Sequence, residues 1–440
     1  MYKAARRIVE RLRRHHHEAF FAGGWVRDFL LRRAAKDIDV VTSARPSEVQ
    51  ALFPGSNPVG ASFGVVLVRM YGLEFEVATF RTEGPYLDGR HPSSVTFAGP
   101  EQDARRRDFT INGLYYDPVA ERVIDFVQGR SDLRDRIVRT IGPPLHRFGE
   151  DKLRMFRAVR FACALDFALA EDTGRAIRQM APEILQVSAE RIRDELCSIL
   201  TGPRRGRGLD LMQELGLLRQ VLPEVEAMRG VPQPEEYHPE GDVYVHTRRA
   251  LELLRKPTPV LAMAALLHDA GKPPTYSVED RIRFHGHVEA GVEIASRVCR
   301  RLRFSNAEAE QVVDLVRHHL RFMHAAQMKR STLLRFIRKP NFADHLELHR
   351  VDCLSSHGRL DAYWLCRREW ERARTEPVAT PRLITGKDLV DLGLTPGPVF
   401  REILRAVEDR QLEGEIQTRE GALDFVRRTF AARSEDPKDG

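Results

Sequence analysis

"AFFAGGWVRDFLLRRAAKDIDVVTS" occupies residues 19–43, and its reading decides what kind of fold the chain can have. "AFFA" reads as a strand, Gly23 and Gly24 punctuate it, "WVRDFLLRR" reads as a helix, and "DIDVVTS" as a second strand. A strand–Gly–Gly–helix run lets backbone N–H groups approach a ligand closely, and the start of a helix there favours a phosphate. On a strand Asp37 and Asp39 share one face, with Ile38 on the other. Two adjacent carboxylates repel unless a cation lies between them. Mg²⁺, a hard ion that takes carboxylate and phosphate oxygens, would fill that role.

The next segments extend the pattern. "GVVLVRMYG" (64–72) and "LEFEVATFR" (73–81) read as a hairpin turning at Tyr71–Gly72. Glu76 then lies opposite Phe75 and Val77, and Glu74, on the same face, is its rival. Three carboxylates on neighbouring strands would hold two Mg²⁺ ions about 3.5–4 Å apart, one activating a hydroxyl and one steadying a leaving phosphate. The chain has no G-x-x-x-x-G-K-[ST] stretch, so a P-loop is not the phosphate cradle. "ARRRDFTINGLYYD" (104–117) instead offers Arg105, Arg106 and Arg107, whose forks match phosphate geometry.

From about Gly142 the pattern turns nearly all helical. "GEDKLRMFRAVRF" (149–161) predicts a helix that buries Leu153, Phe156 and Val159/Ala162. Glu150 and Asp151 lead into Arg154, Arg157 and Arg160, which a salt-bridged solvent face would explain. "ILQVSAERIRDELCSIL" (184–200) is amphipathic with Ser188 as its N-cap. "GVPQPEEYHPEGD" (230–242), rich in proline and acid, reads as a linker. A helical block runs from Val245 to Arg374, "TEPVATPRL" (375–383) breaks it, and a helical tail runs to about Phe430. "ARSEDPKDG" (432–440) is expected to fray.

Composition narrows the partners. A chain of 440 residues has room for about three domains. Its 70 Lys and Arg give a net charge of +7 and a pI near 9.2, which points to a polyanion, RNA or DNA before membrane. Five cysteines without a C-x-x-C pair argue against a zinc knuckle or disulfide scaffold and fit a reducing cytoplasm. The N-terminus is charged where a signal peptide is apolar. "LAMAALL" (261–267), the longest apolar stretch, is too short to span a bilayer, so no membrane partner is expected. His15, His16 and His17 point different ways on a helix and read as a solvated run.

The ordered set "GGWVRD", "DIDVV", "EVATFR", "RRDFTING" and "EDKLRMFRAVRF" closely resembles the class II tRNA nucleotidyltransferases, which include CCA-adding enzymes and bacterial poly(A) polymerases. The resemblance covers residues 15–225, with "ERIRDEL" (190–196) similar to a later helical motif. It implies transfer of a nucleoside monophosphate from CTP or ATP to a tRNA 3′-hydroxyl, with release of pyrophosphate. Asp37 and Asp39 match the metal-binding pair; Glu76, read from the strand pattern, is expected to be the third catalytic acid. Gly23 and Gly24, Arg27 and Arg107 match the nucleotide-phosphate region. Asp151 and Arg154 match the pair that reads the base, and Arg157 and Arg160 also face the nucleotide. Cytosine and adenine each offer an amino donor beside a ring acceptor, so an accepting Asp and a donating Arg on one helix face suit both. Guanine and uracil present the opposite polarity and would leave buried groups unpaired, at about 1–3 kcal/mol each. The stretch 81–110 resembles the flexible loop of complete CCA-adding enzymes, without the shortening of CC-adding ones. The segment 383–426 is similar to a tail that contacts tRNA. A-adding enzymes and poly(A) polymerases share the core and remain alternatives.

"LLHDAGKP" (266–273) belongs to a second pattern. His246, His268, Asp269 and Asp352 resemble the ligand set of the HD phosphohydrolase superfamily, with Lys272 matching the lysine after the His–Asp pair. His287 and either His318 or His319 would complete a second metal position, with His318 taken as the ligand, and His285 is easily confused with His287. Imidazoles and carboxylates together suit a divalent transition metal whose identity the sequence leaves open. An RNA-holding chain whose one activity is this hydrolase is the alternative from another class, and a degenerate HD scaffold is the plain one.

The sequence therefore predicts an α+β chain. Residues 1–140 form a nucleotidyltransferase palm of mixed β-sheet and helices, and 141–229 an all-α neck and body that bind nucleotide and RNA. Residues 230–374 form the HD domain and 375–440 a tRNA-binding helical tail. No feature fixes an oligomeric state.

Overall fold

The computed structural model describes residues 1–35, 37–58, 64–84, 94–375 and 382–430. The chain divides into two compact units, Met1–Ala227 with Arg297–Ser305, and Met228–Ser296 with Asn306–Gly440.

The first unit is built on a seven-stranded sheet. Its strands are β1 (Ala19–Ala22), β2 (Asp39–Thr42), β3 (Asn57–Pro58), β4 (Val65–Met70) and β5 (Leu73–Thr79), and two later ones, Leu114–Asp117 and Arg122–Asp125. In spatial order they run β3–β4–β5–β2–β1 and then the two later strands. Only β2 and β5 pair in parallel; the neighbours on either side are antiparallel. The interior strand β1 is buried on both faces: Phe20 packs with Phe80 and Tyr115, while Phe21 meets Tyr2, Trp25 and Tyr116. The predicted hairpin is present, with Met70 opposite Leu73 and both Tyr71 and Gly72 at positive φ, the turn that matches strand twist.

Around the sheet stand α1 (Tyr2–Arg14), α2 (Gly24–Leu30), α3 (Pro46–Leu52), α4 (Pro100–Arg105) and α5 (Gly129–Asp135). His15 and His16 lie exposed just past α1. The segment predicted as one helix over 149–161 is two: α6 (Pro144–Glu150) and α7 (Arg154–Leu165). Asp151 ends the first in an extended conformation (φ −143°, ψ 105°). Its Oδ1 accepts from the Leu153 N–H at 3.1 Å, the local side-chain bond by which Asp competes with helix. Leu153, Phe156, Val159 and Ala162 are buried as expected. Ser188 occupies the N-cap position of the helix Ala189–Thr201, but its hydroxyl makes no capping bond.

The second unit is not purely helical. A hairpin, Tyr276–Val278 with Ile282–Phe284, interrupts it, closed by the Tyr276 and Phe284 rings at 5.9 Å. The linker expected over 230–242 is an ordered loop instead. Pro232 bridges to Asp242, the Gln233 N–H donates to the Gly241 carbonyl at 2.9 Å, and Asp242 caps the helix Val243–Leu253. The tail helices Gly386–Asp391, Pro398–Glu413 and Arg419–Phe430 share a small core that includes Leu389, Ile403, Val407 and Val426. The expected frayed end, 432–440, and part of the expected loop and linker, 85–93 and 376–381, lie outside the described residues.

Candidate functional site

In the first unit the end of β1 delivers Gly23 to the centre of a cavity of about 510 Å³. Gly23 sits at φ +67°, and a Cβ there would lie 3.2 Å from Arg107 Nη1 and 3.7 Å from Asp39 Oδ2. Bare backbone is what lets Asp39 and Arg107 close on the same spot.

Strand β2 begins at Asp39, so Asp37 precedes the strand rather than lying within it. Burial still alternates: Asp37 is exposed, Ile38 buried and Asp39 half-buried. Val40 pairs with Val77, which sets Asp39 beside Glu76 one step earlier. Burial pushes the Asp39 carboxyl up to about 6, with Glu76 and Asp37 adding to it and Arg107 opposing. A part-buried carboxyl with two further carboxylates beside it is a donor set a hard divalent cation fits. Glu74 is drawn instead to Arg69, 2.7 Å away across the hairpin.

The arginines arrive by different routes. Arg107 is fixed between Asp103 (3.2 Å) and the Tyr115 ring, and the Tyr115 hydroxyl donates to the same Asp103 at 2.7 Å. Arg106 lines the cavity too, while Arg105 pairs with Glu101 on the surface. Arg27 donates to Asn112 Oδ1 at 2.7 Å. Arg157 forks onto Asp108 Oδ2 at 2.6 and 2.9 Å. Burial would raise Asp108, but Arg157, Asn112 and the Phe109 N–H hold it down near 2.

Asp151 and Arg154 both line the cavity. They do so from either side of the α6–α7 break rather than from one helix face. Asp151 Oδ2 accepts from Arg191 at 2.8 Å. Arg154 is buried, its Nη1 donating to the Arg147 carbonyl at 3.0 Å and to Glu150 Oε2 at 2.6 Å. Arg147 completes the frame: its Nη1 donates to the same Glu150 oxygen at 2.5 Å, and its Nη2 to the carbonyls of Arg106 and Arg107 at 2.6 and 2.7 Å. Arg160 does not line the cavity; it pairs with Glu195 at 2.7 Å. Arg147, Glu150 and Arg191 were not assigned from sequence, although Glu150 and Arg191 lie inside the quoted motifs.

The second unit gathers the other predicted set. His246 Nε2 lies 3.2 Å from His268 Nε2, 3.1 Å from Asp352 Oδ1 and 3.7 Å from Asp269 Oδ2. Asp269, His287 and His319 form an adjoining group with ligand atoms within 4.8 Å of one another. His319, and not the expected His318, faces this site. His318 ends the helix Asn306–His318 and turns to Asp314 at 3.1 Å, beside His345.

The histidine protons are arranged alike. His268, His287 and His319 each place Nδ1 on the carbonyl three residues back, at 2.8, 2.9 and 2.6 Å. Donation there leaves Nε2 bare, and the Nε2 atoms of His287 and His319 are buried without a hydrogen-bond partner, that of His319 lying 3.9 Å from Asp269 Oδ1. Unpartnered imidazole nitrogens beside Asp269 and Asp352 fit a divalent transition metal. Burial and nearby His268 hold His319 down near 4, in the neutral form a ligand needs. Lys272 bonds Asp269 at 2.8 Å and the buried Gln233 at 2.6 Å. A cavity of about 500 Å³ opens over these residues, walled by Tyr237, Phe284 and Met323.

A sheet with acids on adjacent strands beside an arginine-lined cavity defines a nucleotidyltransferase head, and the same chain carries an HD-type cluster of histidines and aspartates. The poly A polymerase head domain matches residues 19–139, the probable RNA and SrmB-binding site of polymerase A matches 166–229, and the HD domain matches 243–352. The CCA-adding enzyme of Geobacillus stearothermophilus is 46% identical over 217 residues, 49% of this chain and 54% of that protein. That of Anoxybacillus flavithermus is 43% identical over 225 residues, 51% of this chain and 56% of that protein. These alignments span about half the length of the curated relatives. The crystal structure of the Bacillus stearothermophilus CCA-adding enzyme in complex with CTP superposes with a TM-score of 0.71 at 30% identity, covering 99% of this chain and 98% of that one. The chain belongs to the family of class II tRNA nucleotidyltransferases and poly(A) polymerases, and within it resembles the CCA-adding enzymes.

Proposed function

We propose that the protein adds CCA to tRNA 3′ ends from CTP and ATP, without a nucleic-acid template, in the cytoplasm. The observation that carries this reading is one cavity that holds Asp39, Arg107, Asp151 and Arg154 together. The tRNA 3′-oxygen forms a bond to the α-phosphorus, the bond from that phosphorus to the β-bridging oxygen breaks, and pyrophosphate leaves. Arg107 and Arg27 would hold the triphosphate. Asp151 would accept from the amino group of cytosine or adenine, and Arg154 would donate to the adjoining ring acceptor. Asp37, Asp39 and Glu76 would hold Mg²⁺, which when bound supplies Lewis acidity at the hydroxyl and the phosphates. The five thiols, none paired in a disulfide, are consistent with a reducing compartment.

The test is incorporation into three tRNA transcripts, ending at the discriminator base, at C and at CC. Each receives CTP, ATP or both, with Mg²⁺. Three additions to the shortest transcript followed by a stop are expected. A single A added only to the CC transcript would make this an A-adding enzyme, and a long ATP ladder a poly(A) polymerase.

A second reading concerns the HD-type cluster. The bare Nε2 atoms of His287 and His319 beside Asp269 favour a metal-dependent phosphoesterase in the second unit. Hydrolysis of bis-p-nitrophenyl phosphate with Co²⁺, Ni²⁺ or Mn²⁺ is expected, and its survival in Asp269→Ala would remove this reading.

A further inference from the structure

The loop 230–242 does more than connect. We infer that Glu240 is a positioning residue for the HD-type cluster, holding His246 with its proton on Nδ1 so that Nε2 faces the metal position. The inference rests on reading that cluster as a divalent-metal site.

His246 needs a partner that its neighbours do not. His268, His287 and His319 set their Nδ1 protons on carbonyls three residues back. Those carbonyls belong to Ala265 and Val316 in the last turns of their helices, and to Phe284 at the end of a strand. There the helix leaves acceptors free. His246 is the fourth residue of the helix Val243–Leu253, where the carbonyls of the first turn are committed to the helix itself. Acceptors have to come from elsewhere: Glu240 Oε1 lies at 2.8 Å, and the Ser355 hydroxyl, whose own proton goes to the Val351 and Asp352 carbonyls, lies farther off at 3.3 Å.

Glu240 is placed for this and little else. Its side chain has 0% exposure, and Oε2 makes no hydrogen bond. The same Oε1 also binds His238 Nδ1 at 3.0 Å, and His238 lines the cavity. An ionised carboxylate only accepts, so the contact keeps a proton on Nδ1 and turns Nε2 the other way. Nε2 faces His268 Nε2 and Asp352 Oδ1. The loop is closed at its base, where Val243 N–H donates to the Val231 carbonyl at 3.1 Å and Gly230 N–H to Asp242 Oδ2 at 2.6 Å. A carboxylate behind a ligating imidazole orients the ring and raises its basicity.

The experiment titrates the full chain with Co²⁺, with Mg²⁺ in large excess to occupy the all-oxygen site of the palm, and follows the visible absorption of bound Co²⁺. Glu240→Ala is expected to weaken binding roughly tenfold to hundredfold. Glu240→Gln keeps an acceptor oxygen and should stay within about threefold of wild type, a rescue that a loss of packing would not show. Should circular dichroism show Glu240→Ala unfolded, Glu240→Asp, which withdraws the carboxylate by one methylene, takes its place with the same expected weakening. Wild-type Co²⁺ affinity in the Ala or Asp variant would overturn the role of Glu240. No Co²⁺ uptake by wild type would overturn the metal reading beneath it.

Discussion

At the scale of single residues, the palm acids carry the clearest expectation. Asp37→Ala and Asp39→Ala should each cut nucleotide incorporation by at least about a thousandfold while leaving tRNA binding in a filter assay nearly unchanged. Normal turnover in both would remove the site. Arg154→Ala should cost discrimination between CTP and UTP about 1–3 kcal/mol, read as a tenfold to hundredfold smaller ratio of kcat/KM values. Asp108 tests the frame around them. Its carboxyl is held near 2 against an ordinary 3.8. The stability this gives is complete above the ordinary value and is lost as pH falls toward 2. Asp108→Asn should therefore be less stable by about 2 kcal/mol at neutral pH, with urea midpoints converging on wild type in strong acid. A gap that ignores pH would contradict the assignment. The residues that point into the cavity were legible because acids and arginines at fixed offsets carry chemistry on their face. Arg147 was not, because its bonds reach carbonyls about forty positions away. The sequence left His318 and His319 both open, with His318 taken. The helix ends at His318 and a tighter 3₁₀ segment begins at His319, so the two rings face different groups.

At the scale of elements, hydrophobic patterning located β1, β2 and the β4–β5 hairpin but not the strands Leu114–Asp117 and Arg122–Asp125. It did not locate the α6–α7 break, because a capping Asp inside an otherwise helical stretch looks like any other polar position. Nor did it read the loop 230–242, whose proline and acid content marks a linker but whose hydrogen bonds build a support for His246. Gly271 offers a test at this scale. A Cβ there would stand 1.9 Å from the His287 carbonyl, so the helix that begins at His287 can approach the His268–Asp269 turn only over a hydrogen atom. Gly271→Ala should displace His287, lower stability by about 1–3 kcal/mol and weaken Co²⁺ uptake, both followed in one thermal titration. Unchanged affinity would show that His287 is no ligand.

At the scale of the whole molecule, two compact units with two cavities imply two cooperative transitions. Scanning calorimetry should show CTP with Mg²⁺ raising one transition and Co²⁺ the other, each by a few degrees at about a hundred times Kd. A single transition moved by both ligands would argue against separate units. The net charge of +7 predicts that tRNA affinity falls at least about a hundredfold between 50 and 200 mM salt, measured by fluorescence anisotropy. One feature of the first unit bears on a longer timescale than any of these. Arg154 is tied through Glu150 and Arg147 to the backbone carbonyls of Arg106 and Arg107. If Arg154 reads the base as proposed, that choice would rest on a frame and not on one side chain. A single substitution there would inherit holders shaped for a guanidinium, so a change of specificity would need several coordinated steps in a lineage.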